Sequence, residues 1–229
     1  MPQPGLHAVL ALAMRKTFSK KRWFAFGLVL GALLPDLDGY AQAYGFLVQG
    51  ISNEAAEAIY HRTLTHSLFF AAAIALLFYL LSLWRGNAEI NYLGLGMATG
   101  IALIHSFVDI FAWFDGVGLL WPIWEINLWS GVIVPESVAR LLRSANFLAF
   151  GWYFAYLLSL AGRVGMDRAY LPRLRLYMYL QLGLGVVFSV LAFVLPGGLY
   201  NTIDGAVLLL AATPNVLWVS WRMRATIEA

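Results

Sequence analysis

The chain has 229 residues, 61% of them hydrophobic and only 12% charged, with a net charge of +3. A soluble domain carries about 25% charged residues, and a chain this short cannot hide so much apolar surface in one water-facing core, so an integral membrane protein is expected. The absence of cysteine excludes disulfides and thiolate metal sites. The basic residues gather at helix ends, where they report topology rather than nucleic-acid binding.

Apolar segments run over residues 6–14, 23–35, 67–84, 93–114, 146–161, 177–196 and 203–221. A full span needs about 20 residues, which the 93–114 run and the last two segments satisfy and the 67–84 run just reaches. The first two segments are short and joined by "RKTFSKKR", which predicts a helical hairpin. Their positive charge follows the first apolar run instead of preceding it, unlike a cleavable signal peptide. The expected fold class is therefore all-α: a polytopic membrane bundle of about six or seven helices including the N-terminal hairpin. It is read as one integral membrane domain over 1–229, with a motif-bearing core at 1–125 and additional membrane helices at 140–229. The stretch "LWPIWEINLW", with Pro122, suits an interfacial belt or a re-entrant segment, and Trp121–Trp129 with Glu125 are expected to line a lipid entrance. In the last segment "AATPN" at 211–215 is expected to interrupt the helix.

Placing Arg15, Lys16, Lys20, Lys21 and Arg22 in the cytoplasm makes the helices alternate so that Arg85, Arg163, Arg168, Arg173, Arg175, Arg222 and Arg224 also fall inside, leaving Arg140 and Arg143 outside. That topology puts "LLPDLDG" (33–39), "HRTLTHS" (61–67) and the later half of the 93–114 helix on one non-cytoplasmic face.

Those three stretches hold the polar residues that a lipid-facing chain should avoid. His105 and Asp109 are four apart and share a helical face. Ionisable groups inside membrane helices are costly and read by default as functional, although a helix-joining hydrogen bond would also account for the pair. Asp36 and Asp38 follow Pro35, where the helix is expected to end and leave two carboxylates in a loop. His61 and His66 are five apart, which predicts His61 in the loop and His66 on the first turn of the next helix. Thr63, Thr65 or Ser67 can cap that helix. Arg62 is suited to a phosphate oxygen. His7 lies early on a short apolar helix, where a lone histidine is usually a core residue.

Taken together, His7, Asp36, Asp38, His61, His66, His105 and Asp109 are a nitrogen and oxygen donor set. Imidazole and carboxylate suit zinc, manganese or iron, and the number of donors would serve one or two ions. A pair of ions favours phosphoester hydrolysis.

These motifs, "LLPDLDG", "HRTLTHS", the "HSFVD" of 105–109 and the early His7, resemble the LexA-binding, inner-membrane-associated hydrolases of the YdjM type over residues 1–125. The resemblance implies a membrane-bound, metal-dependent hydrolase. A more distant similarity is to zinc-dependent phospholipases C and single-strand-specific zinc nucleases, which order their ligands as early His, Asp, His and His-x-x-x-Asp. His7, Asp36, His61 or His66, and His105 with Asp109 follow that order. The N-terminal Trp and the later His-x-x-x-Glu of those enzymes are missing, which implies one or two ions instead of three.

The expected function is a membrane-embedded, metal-dependent hydrolase of a lipid or lipid-linked phosphoester in a bacterial-type inner membrane. The expected metal ligands are His7, Asp36, His61, His66, His105 and Asp109, with His66 the firmest. Asp38 is a ligand or general base, Arg62 the phosphate contact, and His61 a ligand or proton-transfer group. The ion is a divalent metal, zinc first and manganese or iron next. A membrane lipid is the expected partner, and no nucleic acid is expected. Other readings of the same residues are a metal-dependent amidase or acyl hydrolase, a proton- or cation-coupled transporter, and a scaffold whose polar cluster is structural.

Overall fold

The computed structural model describes residues 4–112, 114 and 116–229. Position 113 of the expected 93–114 segment and the first three residues lie outside that description. The described chain divides into two compact units, one made of residues 13–132 and the other of residues 4–12 with 133–229. The division falls close to the expected end of the motif-bearing region. It also splits the expected N-terminal hairpin, because most of helix α1 (Pro4–Met14) groups with the C-terminal residues.

The first unit runs through α2 (Phe24–Leu33), a 3-10 turn (Pro35–Leu37), α3 (Asp38–Leu47), α4 (Asn53–Tyr60), a second 3-10 turn (Leu64–His66), α5 (Leu68–Arg85) and α6 (Ala88–Ala112). A small antiparallel hairpin follows, β1 (Val117–Leu120) with β2 (Trp124–Ile126). The expected re-entrant segment at 120–129 is thus partly a β-hairpin, and α4 has no counterpart among the predicted segments. Ser52 caps α4 by accepting the Ala55 N–H at 3.1 Å.

Helices α2 and α6 run parallel and touch through glycines. Gly27 and Gly31 are four apart on α2, and Gly96 and Gly100 are four apart on α6. A Cβ on any of them would overlap backbone of the facing helix: Leu93 for Gly27, Met97 for Gly31, Phe24 for Gly96 and Leu28 for Gly100. Small residues at this spacing let backbones approach in a medium where lipid gives no hydrophobic drive between helices. At the basic end of this pair, Glu89 accepts from Arg22 and from the Trp23 indole, each at 3.0 Å. α5 runs antiparallel to α6. The reversal is made at Gly86, whose φ of 62° closes α5 while the Asn87 N–H reaches Ser82 O at 3.0 Å, the pairing of a Schellman stop.

The second unit contains α7 (Glu136–Val164), α8 (Leu171–Val194), α9 (Gly197–Arg222) and the short α10 (Arg224–Glu228). Asn146 on α7 accepts the Gly5 N–H at 2.8 Å, and Phe147 stacks on Phe188 with centroids 5.0 Å apart. Tyr153 and Ser220 join α7 to α9 through a 2.7 Å hydrogen bond. The expected break at 211–215 is absent. A π-helical stretch, Leu208–Ala212, precedes Pro214 and keeps α9 continuous. Proline removes one backbone donor, and a widened turn is one way a helix accommodates that loss.

Among the described residues, α5 to α9 are each long and apolar enough to cross a membrane, and the α2–α3 pair, bent by 41°, makes a sixth if counted as one span. The architecture is the expected all-α membrane bundle.

Candidate metal centre

The site is assembled at the end of the α2–α6 pair opposite Arg22 and Glu89. α2 stops at Leu33, and Pro35 starts a 3-10 turn that leads straight into α3. Asp36 and Asp38 therefore stand on a helix break, not in the expected loop, and both are buried. Proline is well placed to open a helical turn because its missing N–H would be unpaired there anyway.

Asp38 is the organiser. Its Oδ1 accepts from His61 Nδ1 at 2.6 Å, and its Oδ2 accepts from the Arg62 backbone N–H at 3.1 Å and from the Thr65 hydroxyl at 2.8 Å. The Arg62 bond needs a φ of 57°, a left-handed conformation that costs a non-glycine residue about 1 kcal/mol or more and is kept where surroundings enforce it. The Arg62 guanidinium lies 3.2 Å from Glu57 Oε1.

His66 precedes α5 instead of sitting on its first turn. It ends the 3-10 turn, and Ser67 is the cap, accepting the Phe70 N–H at 3.2 Å. Thr65 gives its only hydroxyl proton to Asp38, so it accepts at 3.1 Å from His66 Nδ1, which therefore carries the proton. That leaves Nε2 of His66 with its lone pair, 3.7 Å from Asp109 Oδ2.

His105 is set the same way. It sits on a π-helical stretch of α6, Gly100–Ser106, marked by the Phe107 N–H reaching back to Ala102 O. π-turns are rare and concentrate at functional sites. Nδ1 donates to Ala32 O at 2.8 Å; a carbonyl only accepts, so Nε2 is the basic nitrogen. It lies 3.4 Å from Asp109 Oδ2 and 3.8 Å from Asp36 Oδ1. The rings of His66 and His105 meet edge to face at 4.6 Å, and those of His61 and His66 at 5.5 Å.

Two overlapping triads result, Asp38–His61–His66 and His66–His105–Asp109, each with one donor atom per residue within 4.8 Å of the others. They differ in kind. The 2.6 Å contact of His61 with Asp38 is a hydrogen bond. The contacts of 3.4–3.8 Å among His66, His105, Asp109 and Asp36 are too long for hydrogen bonds. The 3.4 Å and 3.7 Å contacts of His66, His105 and Asp109 lie close to the separation of about 3.3–3.6 Å between donors around a tetrahedral ion with bonds of about 2.0–2.2 Å, while Asp36 adjoins that triad through His105 at 3.8 Å. Among the described residues none donates a hydrogen bond to either Asp36 oxygen or to Nε2 of His66. A buried carboxylate without a partner carries a penalty of several kcal/mol, which a cation relieves.

Electrostatics separate the two loop histidines. Burial pushes both imidazoles down. At His61 the hydrogen bond and charge of Asp38 outweigh burial and lift the pKa above its usual 6.5. At His66 burial prevails and the pKa stays below 6.5, so this ring is neutral at pH 7, as a metal ligand must be.

Of the residues singled out from the sequence, Asp36, Asp38, His61, His66, His105 and Asp109 converge in this cluster. Arg62 borders it, with its side chain turned to Glu57. His7 is buried on the part of α1 that belongs to the other unit. The Ala32 carbonyl and the Thr65 relay have no distinctive sequence signal, since any residue supplies a carbonyl and Thr65 reads equally well as a helix cap.

Fold and site together define an integral membrane helix bundle with a buried histidine–aspartate cluster at one end of its N-terminal unit. The chain belongs to the YdjM inner membrane protein family, whose model matches residues 4–169. The match includes every residue of the cluster and extends beyond the expected 1–125. No curated protein and no solved structure matches the chain.

Proposed function

We propose that this inner membrane protein is a metal-dependent hydrolase of a lipid or lipid-linked phosphoester. The observation that carries the reading is the 3.4–3.8 Å spacing of buried nitrogen and oxygen donors around Asp109 and His105. Asp36, His66, His105 and Asp109 would hold the ion, zinc by the chemistry of its donors. A divalent ion there supplies Lewis acidity and lowers the pKa of water.

The protein's own groups do the rest. Asp38 and Thr65 orient His66, and the Ala32 carbonyl orients His105, in the manner of partners that fix the tautomer of a ligating imidazole. Asp38 favours the protonated form of His61, and Nε2 of His61 is the group assigned to give a proton to the leaving oxygen. Arg62, preordered by Glu57, is assigned to the substrate phosphate. The non-cytoplasmic face is the proposed side of the site.

The test is metal content and hydrolysis measured on detergent-purified full-length protein. Bound zinc that disappears in His105→Ala and Asp36→Ala, with loss of phosphodiester cleavage, supports the reading. Protein that binds no divalent metal, or metal content unchanged in both variants, would falsify it. Running amide lipids beside phosphoester lipids separates the acyl-hydrolase alternative.

A further inference from the structure

A groove of about 430 Å³ opens beside the cluster, walled by Leu34, Leu37, Ile59, Leu64 and Phe70. Its size lies within the about 300–1,000 Å³ of ligand pockets. Asp38 and Thr65 form part of its lining, and they are the two side chains that hold His61 and His66. Trp121 also lines it, brought in by the β-hairpin, whose Gly118 N–H donates to Arg62 O at 3.1 Å. The groove therefore has an apolar wall and a polar edge that is already part of the site.

Its rim continues onto a lipid-facing surface. Ile59 and Leu64 are 54% and 47% exposed, and Leu68 and Phe69, at the start of α5, are 38% and 48% exposed. Only 11% of the apolar window of α5 is buried inside the protein, so hydrocarbon must cover the remainder of that helix. Phe70, on the first turn of α5, lines the groove and directly follows the exposed Leu68 and Phe69.

We infer that this groove takes the hydrocarbon chain of an amphiphilic substrate drawn laterally from the bilayer, with its polar head at the Asp38–Thr65 edge. The inference rests on the hydrolase reading for what happens at that head, but the binding of the chain does not depend on the metal. It narrows the substrate to phosphoesters that carry an apolar chain and excludes small water-soluble ones as the natural class.

The experiment is photo-crosslinking of the full-length protein in nanodiscs, using a phospholipid with a diazirine in its acyl chain. Labelled residues are mapped in wild type, His105→Ala, Leu64→Trp and Ile59→Trp, and wild-type helical circular dichroism and a single size-exclusion peak confirm that the two tryptophan variants are folded. Labelling is expected on the groove walls in wild type and in His105→Ala. In Leu64→Trp and Ile59→Trp it is expected to fall about tenfold, equivalent to about 1.4 kcal/mol. Even labelling along α5 with no drop in the folded tryptophan variants overturns the groove. Groove labelling in a protein that hydrolyses nothing overturns the hydrolase reading and keeps the groove.

Discussion

His105 has one ring nitrogen committed to Ala32 O, and His66 has one committed to the Thr65–Asp38 relay. In each case the commitment leaves Nε2 basic and aimed at the same carboxylate, Asp109. Removing the relay without touching a proposed ligand is the sharpest residue-level test. Asp38→Asn keeps the shape of the side chain but weakens its hold on His61 and His66. Zinc affinity is expected to drop about 10–100-fold, measured by competition with a chromophoric chelator, while His105→Ala loses the metal altogether. The pH dependence has a definite sign. His66, with its pKa held below 6.5 by burial, protonates at a lower pH than a free imidazole. Loss of bound zinc on acidification is therefore expected to be centred below pH 6.5, with metal content measured across a pH series. Loss centred above 6.5 would contradict the assignment of His66.

At the scale of elements, the placement of His105 depends on how closely α6 approaches α2. The hydrogen bond from His105 to Ala32 O crosses that contact, and it forms because four glycines let the two backbones nearly touch. Gly31→Leu forces the helices apart and is expected to destabilise the protein by about 1–3 kcal/mol, read as a lower unfolding midpoint in detergent. It should also lower zinc content, because His105 loses its orienting carbonyl. A variant such as Gly198→Leu, whose position has open space around it, should do neither. The glycine spacing is visible in the sequence as Gly27-x-x-x-Gly31 and Gly96-x-x-x-Gly100. Their pairing is not, because the two motifs are separated by some 65 residues and nothing local states which helix each will meet. The π-turn at Gly100–Ser106 was equally hidden, since the residues there read as ordinary helix.

For the whole molecule, the membrane topology is the prediction that remains to be measured. The cluster and the basic residues Lys20 to Arg22 lie at opposite ends of the parallel α2–α6 pair. With the basic end in the cytoplasm, the cluster faces the other side. The chain has no cysteine, so single cysteines report cleanly. Glu54→Cys, exposed on α4, is expected to react with a membrane-impermeant maleimide in intact cells, and Lys20→Cys only after permeabilisation. The reverse pattern would place the site in the cytoplasm and overturn the proposed face.

Composition by itself determined the membrane class, because the excess of apolar residues has no aqueous solution in a chain of this length. The long apolar runs and their flanking charges similarly marked the spans, and isolated ionisable residues within an apolar chain marked Asp36, Asp38, His61, His66, His105 and Asp109 as the ones to explain. Only the tertiary structure decided how they are arranged. It put Asp38 in hydrogen-bond contact with His61 and set Asp109 at metal-ligand spacing from His66 and His105. It also placed Asp36 and Asp38 on a helix break and folded 117–126 into a hairpin against the histidine loop. The physical reason is that burial cost depends on the residue alone, while tautomer, spacing and access depend on neighbours brought together from distant parts of the chain.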